Sequence, residues 1–431
     1  MQTVYERCCG IDVHKKLIVA CFRNGKKAEL RKFDTLTCNI KELANWLLDN
    51  DCEMVAMEST GAYWKPIYNI LELFGLDVMV VNAHHMRNVP GRKTDAKDAE
   101  WIADLLQHGL LKASYIPSKE QREIRDVVRY RKSLIEERSR EINRLEKILE
   151  GANIKLSSYV SDLTGISSRK LLNQAIEDKV TPDNIGDLVH HSMQGKIPVL
   201  LKAMDGVLTP IQKKLVKAIL DHIDDMTRRI NDLDDIINNE MKHYEDAINK
   251  IEEMPGIGKR SAEVIIAEIG VDMSRFPTAA HLASWSGLCP GNNESAGKRK
   301  SGKTNKGSKH LKSILIQCAK AAKAKKESFF YAQYQRLVTK RGANRATVAV
   351  AHSMLIAIYH MLKDNVPFKD LGSNYYTKFN TDKKANYYLK KLQELGVSVP
   401  VSLATAYVIL IIYNIVRVFK TTLSLMYPSL G

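Results

Sequence analysis

Apolar positions recur with two different periods along the chain, and the change between them divides it. From Gly10 the run GIDVHKKLIVACF is rich in Ile, Val and Leu. It reads as one strand entering a hairpin at Arg23-Asn24-Gly25. KAELRKFDT reads as a weaker strand paired with it. NIKELANWLLDN carries helical spacing at Ile40, Leu43, Leu47 and Leu48. CEMVAMEST reads as a buried strand, AYWKPIYNILELFG as a helix closed by Gly75, and LDVMVVNAH as another strand. DAKDAEWIADLLQHG reads as a helix with Ile102, Leu105 and Leu106 inward and Gly109 as its stop. Such alternation predicts an α/β domain with a mixed sheet.

From Ser118 the pattern changes to long helices. Val128, Ile135, Ile142 and Leu149 recur every seven residues, and Arg131 and Arg138 interrupt the seam. Residues 154–198 show no clear pattern. A second helix is predicted from Pro210 to about Glu252, with 4-3 spacing through Ile219, Ile223, Met226, Ile230, Leu233 and Ile237. The pair reads either as two antiparallel helices or as a spacer between copies of the chain. After Met254 the pattern is compact again, with a turn Pro255-Gly256-Ile257-Gly258, a basic segment, and helices over LKSILIQCAKAAKA and Arg345 to Lys363. Between Gly396 and Val416 there is no charge, and the run reaches the length of a membrane span. Pro400, Ser402, Thr405 and Asn414 within it favour a buried or interface helix, so no membrane is expected. The expected divisions are 1–118, 119–252, 253–365 and 366–431.

Composition adds a partner class. The 431 residues include 65 Lys or Arg against 49 Asp or Glu, a net +16. That excess points to a polyanion, nucleic acid before a membrane surface. Hydrophobic residues at 45% exclude long-range disorder. The seven cysteines are odd in number and form no C-x-x-C pair. That excludes a disulfide framework or a cysteine zinc site and fits a reducing cytosol. The first residues, MQTVYERCCG, lack the basic-then-apolar order of a secretory signal, and a cytoplasmic location is expected.

Three constellations could carry chemistry. Asp12 lies between Ile11 and Val13 in an apolar strand, where a carboxylate is costly unless protonated, paired or bound to a cation. Glu58 ends a second apolar strand, and Asp95 and Asp98 sit three apart at a helix start. Four acids of this kind could converge on hard divalent cations, with Mg²⁺ favoured by oxygen ligands. Against this, Asp95 suits an N-cap, Asp98 a first helical turn, and Glu58 a strand-end charge. Arg87, Arg92 and Lys93 precede the pair in a segment suited to phosphate. His14, His84 and His85 are possible ligands, although a structural or solvated role is the commoner one.

The second constellation is Ser295, in Pro290-Gly291-Asn292-Asn293-Glu294-Ser295-Ala296-Gly297-Lys298. Lys298, Arg299, Lys300, Lys303, Lys306, Lys309 and Lys312 follow with no intervening acid, which suits phosphate neutralisation. A serine in a glycine-rich loop is ordinarily a turn residue, and its hydroxyl needs a base or metal to act as a nucleophile. The third is Gly256, Gly258 and Lys259, where a glycine turn into a helix presents backbone N–H groups to a phosphate. It resembles the hairpin of helix-hairpin-helix modules; a plain helix connection is the alternative.

In combination and order these segments resemble the insertion sequence 110 family of DEDD transposases, also described as bridge-RNA-guided recombinases. Gly10 to Lys15, Glu58 to Tyr63 and Lys93 to Ala99 match the family's RuvC-like, RNase H-like domain. Pro255 to Gly258, Gly287 to Gly291 and Ser295 to Lys298 match its C-terminal transposase domain, which is mainly helical. The resemblance reaches to about Leu395 and implies that Asp12, Glu58, Asp95 and Asp98 bind Mg²⁺. It implies that Ser295 attacks DNA and forms a covalent phosphoserine link. Many members carry two serines there; here Glu294 precedes Ser295. It also implies a homo-oligomer, dimer or tetramer, whose acids and serine come from different subunits. Finally, it implies double-stranded DNA as substrate and a structured bridge RNA as guide. Two rivals remain at this level: a Holliday-junction-resolvase-like nuclease using water, and a non-catalytic nucleic-acid scaffold.

Overall fold

The computed structural model describes residues 3–59, 61–82, 98–291, 293–295, 298–301, 303–378 and 381–395. The chain divides into two compact units. The first holds the residues up to His243 together with Ile266–Arg275, and the second holds Tyr244–Ile265 and the residues from Phe276 onward.

The first unit opens with a five-stranded mixed sheet in the order β3-β2-β1-β4-β5. Its strands are β1 (Arg7–Val13), β2 (Leu17–Asn24), β3 (Lys27–Asp34), β4 (Met54–Glu58) and β5 (Val78–Val81). The run from Gly10 to Phe22, expected as one strand, is two. The chain reverses at His14–Lys16, with the His14 amide donating to the Leu17 carbonyl at 2.9 Å, and Val13 pairs with Ile18. Apolar residues continue through both arms of this hairpin, so their pattern conceals the turn. The second reversal falls at the expected Gly25, whose φ of +59° only glycine adopts freely.

Helices α1 (Thr37–Asp49), α2 (Trp64–Leu73) and α3 (Asp98–Gln107) flank the sheet. Period-two alternation assigns the faces. Cys9, Ile11 and Val13 of β1 and Val55 and Met57 of β4 pack with Ile40, Leu43 and Leu47 of α1 and Ile67 and Leu71 of α2. Cys8 of β1 and Ala56 of β4 pack on the other face, with Ile102, Leu105 and Leu106 of α3.

The heptads form α4 (Lys119–Gly151) and α8 (Pro210–Glu240). Short helices α5 (Ile166–Ile176), α6 (Ile185–Leu188) and α7 (Ile197–Ala203) lie between them in sequence. Ser118 caps α4, and Thr209 closes a capping box with Gln212 at the start of α8. The two arginines that interrupt the α4 seam reach across to α8. Arg131 Nη1 donates to Asp234 Oδ1 at 2.7 Å, and Arg138 Nη1 to Thr227 Oγ1 at 3.2 Å. Partner numbers fall as α4 numbers rise, so the helices run antiparallel within one chain. Of the two readings of the heptads, the intramolecular pair holds. The helix expected to reach Glu252 ends at Glu240, a 3₁₀ turn follows at Lys242–Tyr244, and α9 (Glu245–Glu252) begins afresh. The seam conceals this break, because buried Met241 keeps an apolar residue beside the expected position.

Residues 266–275 belong to the first unit because α4 grips them. They include the last turn of α10 (Lys259–Ile269). A helix leaves its final carbonyls without internal donors. Here Gln121 Nε2 donates to Ala267 O at 3.1 Å and Tyr115 Oη to Ile269 O at 3.4 Å. Arg125 Nε and Nη2 donate to the carbonyls of Ala267 and Glu268 at 3.2 and 2.5 Å. Arg129 holds the Glu268 carboxylate with two bonds of 2.7 and 2.9 Å.

In the second unit α14 (Ala343–Lys363) is the central helix. It packs against α9, α11 (Ala279–Trp285), α12 (Lys309–Ala322) and α13 (Phe329–Arg341). Val350, Ala351, Met354, Leu355 and Ile358 are fully buried along it, and Tyr359 Oη donates to Phe276 O at 3.0 Å. By length and composition α14 is apolar enough to cross a membrane, and half of its apolar window is buried inside the protein. Helices α15 (Tyr375–Lys378) and α16 (Thr381–Glu394) follow. The apolar run from Gly396 lies outside the described residues.

Candidate active site

Asp12 is the next-to-last residue of β1, and Glu58 is the last residue of β4. The two strands are parallel neighbours with Ile11 opposite Met57, so the next positions along each are Asp12 and Glu58. Both acids belong to the face that carries Cys8 and Ala56, the α3 face. Asp12 therefore lies at a strand end rather than mid-strand as expected, and its side chain is 18% exposed.

Gly10 determines where α3 lies. A Cβ on Gly10 would sit 2.3 Å from the Ala103 nitrogen and 2.4 Å from the Ala99 oxygen. The helix backbone thus rests directly on β1, two residues before Asp12. The amide of Val4, before β1, donates to Gln107 O at 2.8 Å. Helix α3 therefore runs against the direction of β1, and its first residue, Asp98, stands at the end of the strand that bears Asp12. Asp98 Oδ1 is sealed from solvent. The positive end of the α3 dipole faces the same region.

His14 Nε2 lies 3.0 Å from Asp12 Oδ2 while its side chain stays largely exposed, so this histidine is both solvated and a direct partner of the first acid. The tight turn after β1 produces this contact; it was not visible when residues 10–22 read as one strand. Asp95, Arg87, Arg92, Lys93, His84 and His85 lie outside the described residues. Among the described residues no group of three or more His, Cys, Asp or Glu is close enough to hold a metal ion.

Ser295 belongs to the second unit. Expected in a loop, it is the last residue of β6 (Asn293–Ser295), which pairs antiparallel with β7 (Lys298–Ser301). Ser295 pairs with Lys298, so Ala296 and Gly297 connect the strands. The hairpin extends to its base through a bridge between Pro290 and Thr304 and a Gly291 amide bond to Lys303 O at 2.8 Å. Below that base Gly287 and Gly307 press backbone to backbone: a Cβ on Gly307 would lie 2.3 Å from the Gly287 nitrogen. The base also continues into α12, whose Lys312 ammonium bonds Thr304 Oγ1. Lys303, Lys306 and Lys309 are exposed beside the hairpin.

At the glycine turn, Gly256 has φ +87°, and a Cβ there would meet Cys318 O and Ala322 N of α12, both at 2.5 Å. Gly256 therefore seats α12, a packing role that sequence reading did not assign. Gly258 faces open space, and the Lys259 amide, which could donate to a phosphate, donates here to Glu252 Oε1 at 3.1 Å.

All seven cysteines are free thiols. Burial pushes those of Cys8 and Cys52 up to about 12, which suppresses their thiolates.

A mixed five-stranded sheet with acids at the ends of adjacent parallel strands defines an RNase H-like domain of the DEDD type. A transposase model of the DEDD IS110 type matches residues 9–154, and a model described as transposase, IS116/IS110/IS902 family, matches residues 248–335. A probable family 20 transposase from Pseudomonas aeruginosa is 24% identical over 360 residues, which cover 82% of this chain and 92% of that protein. An uncharacterized 43.6 kDa protein of insertion element IS110 from Streptomyces coelicolor is 35% identical over 114 residues, 26% of this chain and 27% of that one. A pilin gene-inverting protein from Moraxella bovis is 30% identical over 118 residues, 27% of this chain and 36% of that one. The chain belongs to the IS110 family of transposases, enzymes that act on DNA.

Proposed function

We propose that this transposase cuts and rejoins DNA through a covalent phosphoserine intermediate formed by Ser295. The observation that supports the reading is the placement of Asp12 and Glu58 at the ends of adjacent parallel strands, on the sheet face that α3 covers. Asp12, Glu58, Asp95 and Asp98 make an all-oxygen donor set, which suits Mg²⁺. When bound there, the ion supplies Lewis-acid polarisation of the scissile phosphate.

The protein's own groups do the rest. His14 orients the Asp12 carboxylate through its 3.0 Å contact. Ser295 Oγ attacks phosphorus; one P–O ester bond forms as the strand's own P–O bond breaks. The serine loses its proton and the departing oxygen gains one, so no energy-rich co-reactant is consumed and the ester can be reversed to rejoin strands. Lys298, Arg299 and Lys300 offset phosphate charge near the serine, with Lys303, Lys306, Lys309 and Lys312 extending the basic track. Arg92, Lys93, Gly256, Gly258 and Lys259 contact the nucleic-acid backbone. The acids and the serine act in one composite site of a homo-oligomer, in the cytosol. A bridge RNA selects the DNA. The gene inversion named for the Moraxella relative supports conservative rejoining.

The test is a denaturing gel of the protein with labelled element-end DNA, its flanking RNA and Mg²⁺. A covalent adduct mapping to Ser295 is expected, and Ser295→Ala should lower its yield by roughly 10³ or more. Cleavage that persists in Ser295→Ala without an adduct would favour the water-using nuclease. Asp12→Asn should bind DNA normally and lose strand exchange; unchanged exchange would remove Asp12 from the site. Full activity of RNA-free protein would contradict guidance.

A further inference from the structure

The second unit carries a cavity of about 520 Å³ at the base of the serine hairpin. Pro290 and Thr304, the bridged pair that closes the hairpin, form one wall. The floor is Leu288, Leu337, Val348 and Ala349. Arg341 and Arg345 stand exposed at its edge, and among the described residues no acid lines the cavity. Neither guanidinium has an ion-pair partner among the described residues. An apolar floor beneath unspent cations suits a ligand with one flat apolar face and one anionic group.

A further observation narrows the ligand. Gln333 Nε2 donates to Ser353 Oγ at 2.7 Å, which holds the side chain at the cavity wall. Its Oε1 is buried and accepts no hydrogen bond. A buried acceptor left unmade is costly unless a ligand supplies the donor. Burial also lowers the His352 pKa, so this wall of the cavity presents a neutral imidazole at neutral pH. An exocyclic amine or ring N–H of a nucleobase provides the missing donor, and its phosphate meets the arginines.

We propose that this cleft holds one unstacked nucleotide of the DNA strand that Ser295 attacks. The inference rests on the serine reading given above. Pro290 and Ser295 are five positions apart, so the segment spans at most about 17 Å at 3.3 Å per residue. That is about five stacked base steps of 3.4 Å. The bound nucleotide therefore lies within about five positions of the cut. Its base leaves the stack, because only an extruded base can present its face to an apolar floor.

The experiment places 2-aminopurine singly at each of five positions on either side of the cut in element-end DNA. The full-length protein is added with its flanking RNA. The fluorophore is quenched in a stack and brightens when extruded among aliphatic side chains. One position should brighten several-fold, and Val348→Trp, which fills the floor, should abolish the rise. Gln333→Leu should reduce it at least twofold. Arg345→Gln, at an exposed position, should weaken binding of that DNA and serves if Val348→Trp fails to fold. Each sample is also scored for the serine adduct. An adduct with no brightened position, or a rise indifferent to all three variants, overturns the cleft. Brightening only when the label is in the RNA overturns its assignment to DNA. A rise lost in Val348→Trp without any serine adduct leaves the cleft standing and sinks the nucleophile.

Discussion

Gly10 shows how much one missing methyl decides. The Ala99 oxygen and Ala103 nitrogen of α3 occupy the space a Cβ would need, both belonging to helix backbone that cannot rotate aside. Gly10→Ala should destabilise the protein by about 2 kcal/mol or more, as overpacking does. It should also reduce strand exchange beyond the loss of folded protein, because α3 carries Asp98. Thermal melting and exchange measured on the same preparation separate the two effects. His352 gives a titration at the same scale. Its folded pKa lies below the ordinary 6.5, through burial. In the window below 6.5 the unfolded chain therefore binds more protons than the folded one. Stability should fall as pH drops from 6.5 toward the folded pKa, and His352→Gln should flatten that part of the melting-temperature profile.

The element scale is where the heptad pattern meets its exceptions. Arg131 looked like a flaw in an apolar seam, yet its side chain is 2% exposed and bonded to Asp234 across the helix pair. A buried ion pair of this kind contributes little net stability but is costly to break on one side. Arg131→Ala should lower stability by about 2–4 kcal/mol, whereas joint replacement of Arg131 and Asp234 by leucine should be near neutral or stabilising. Denaturant melts of the two variants make the comparison. The pair also fixes register, since a one-turn slip of α4 along α8 would place the arginine beside Ile230 or Ile237 instead of Asp234.

For the whole molecule, continuity in sequence and membership of a unit differ. Residues 266–275 come after a stretch of the second unit, but Gln121, Arg125 and Arg129 hold them in the first. Burial lowers the Arg125 pKa, with Glu268 opposing the shift, so this guanidinium depends on its acceptors. A chain ending at residue 243 should therefore melt well below one ending at residue 275. Equal melting temperatures, read by circular dichroism, would show that the grip contributes nothing. Period reports which element a residue forms, and says nothing of which distant element satisfies its carbonyls.

Local physics made much of this protein legible in its sequence. Strand alternation, heptads, the hairpin turn at Gly25 and the helix stops at Gly75 and Gly109 each depend on residues within a few positions. Motif resemblance singles out the four acids and Ser295 as candidates. Tertiary structure alone decided the rest. It divided residues 10–22 into two strands, and thereby brought His14 onto Asp12. It placed Ser295 on a hairpin, turned Gly256 toward α12, and set Arg341, Arg345 and Gln333 around a cleft no motif marks. These depend on contacts between residues far apart in the chain, and a pattern repeating every two or every 3.6 positions carries no record of what packs against it.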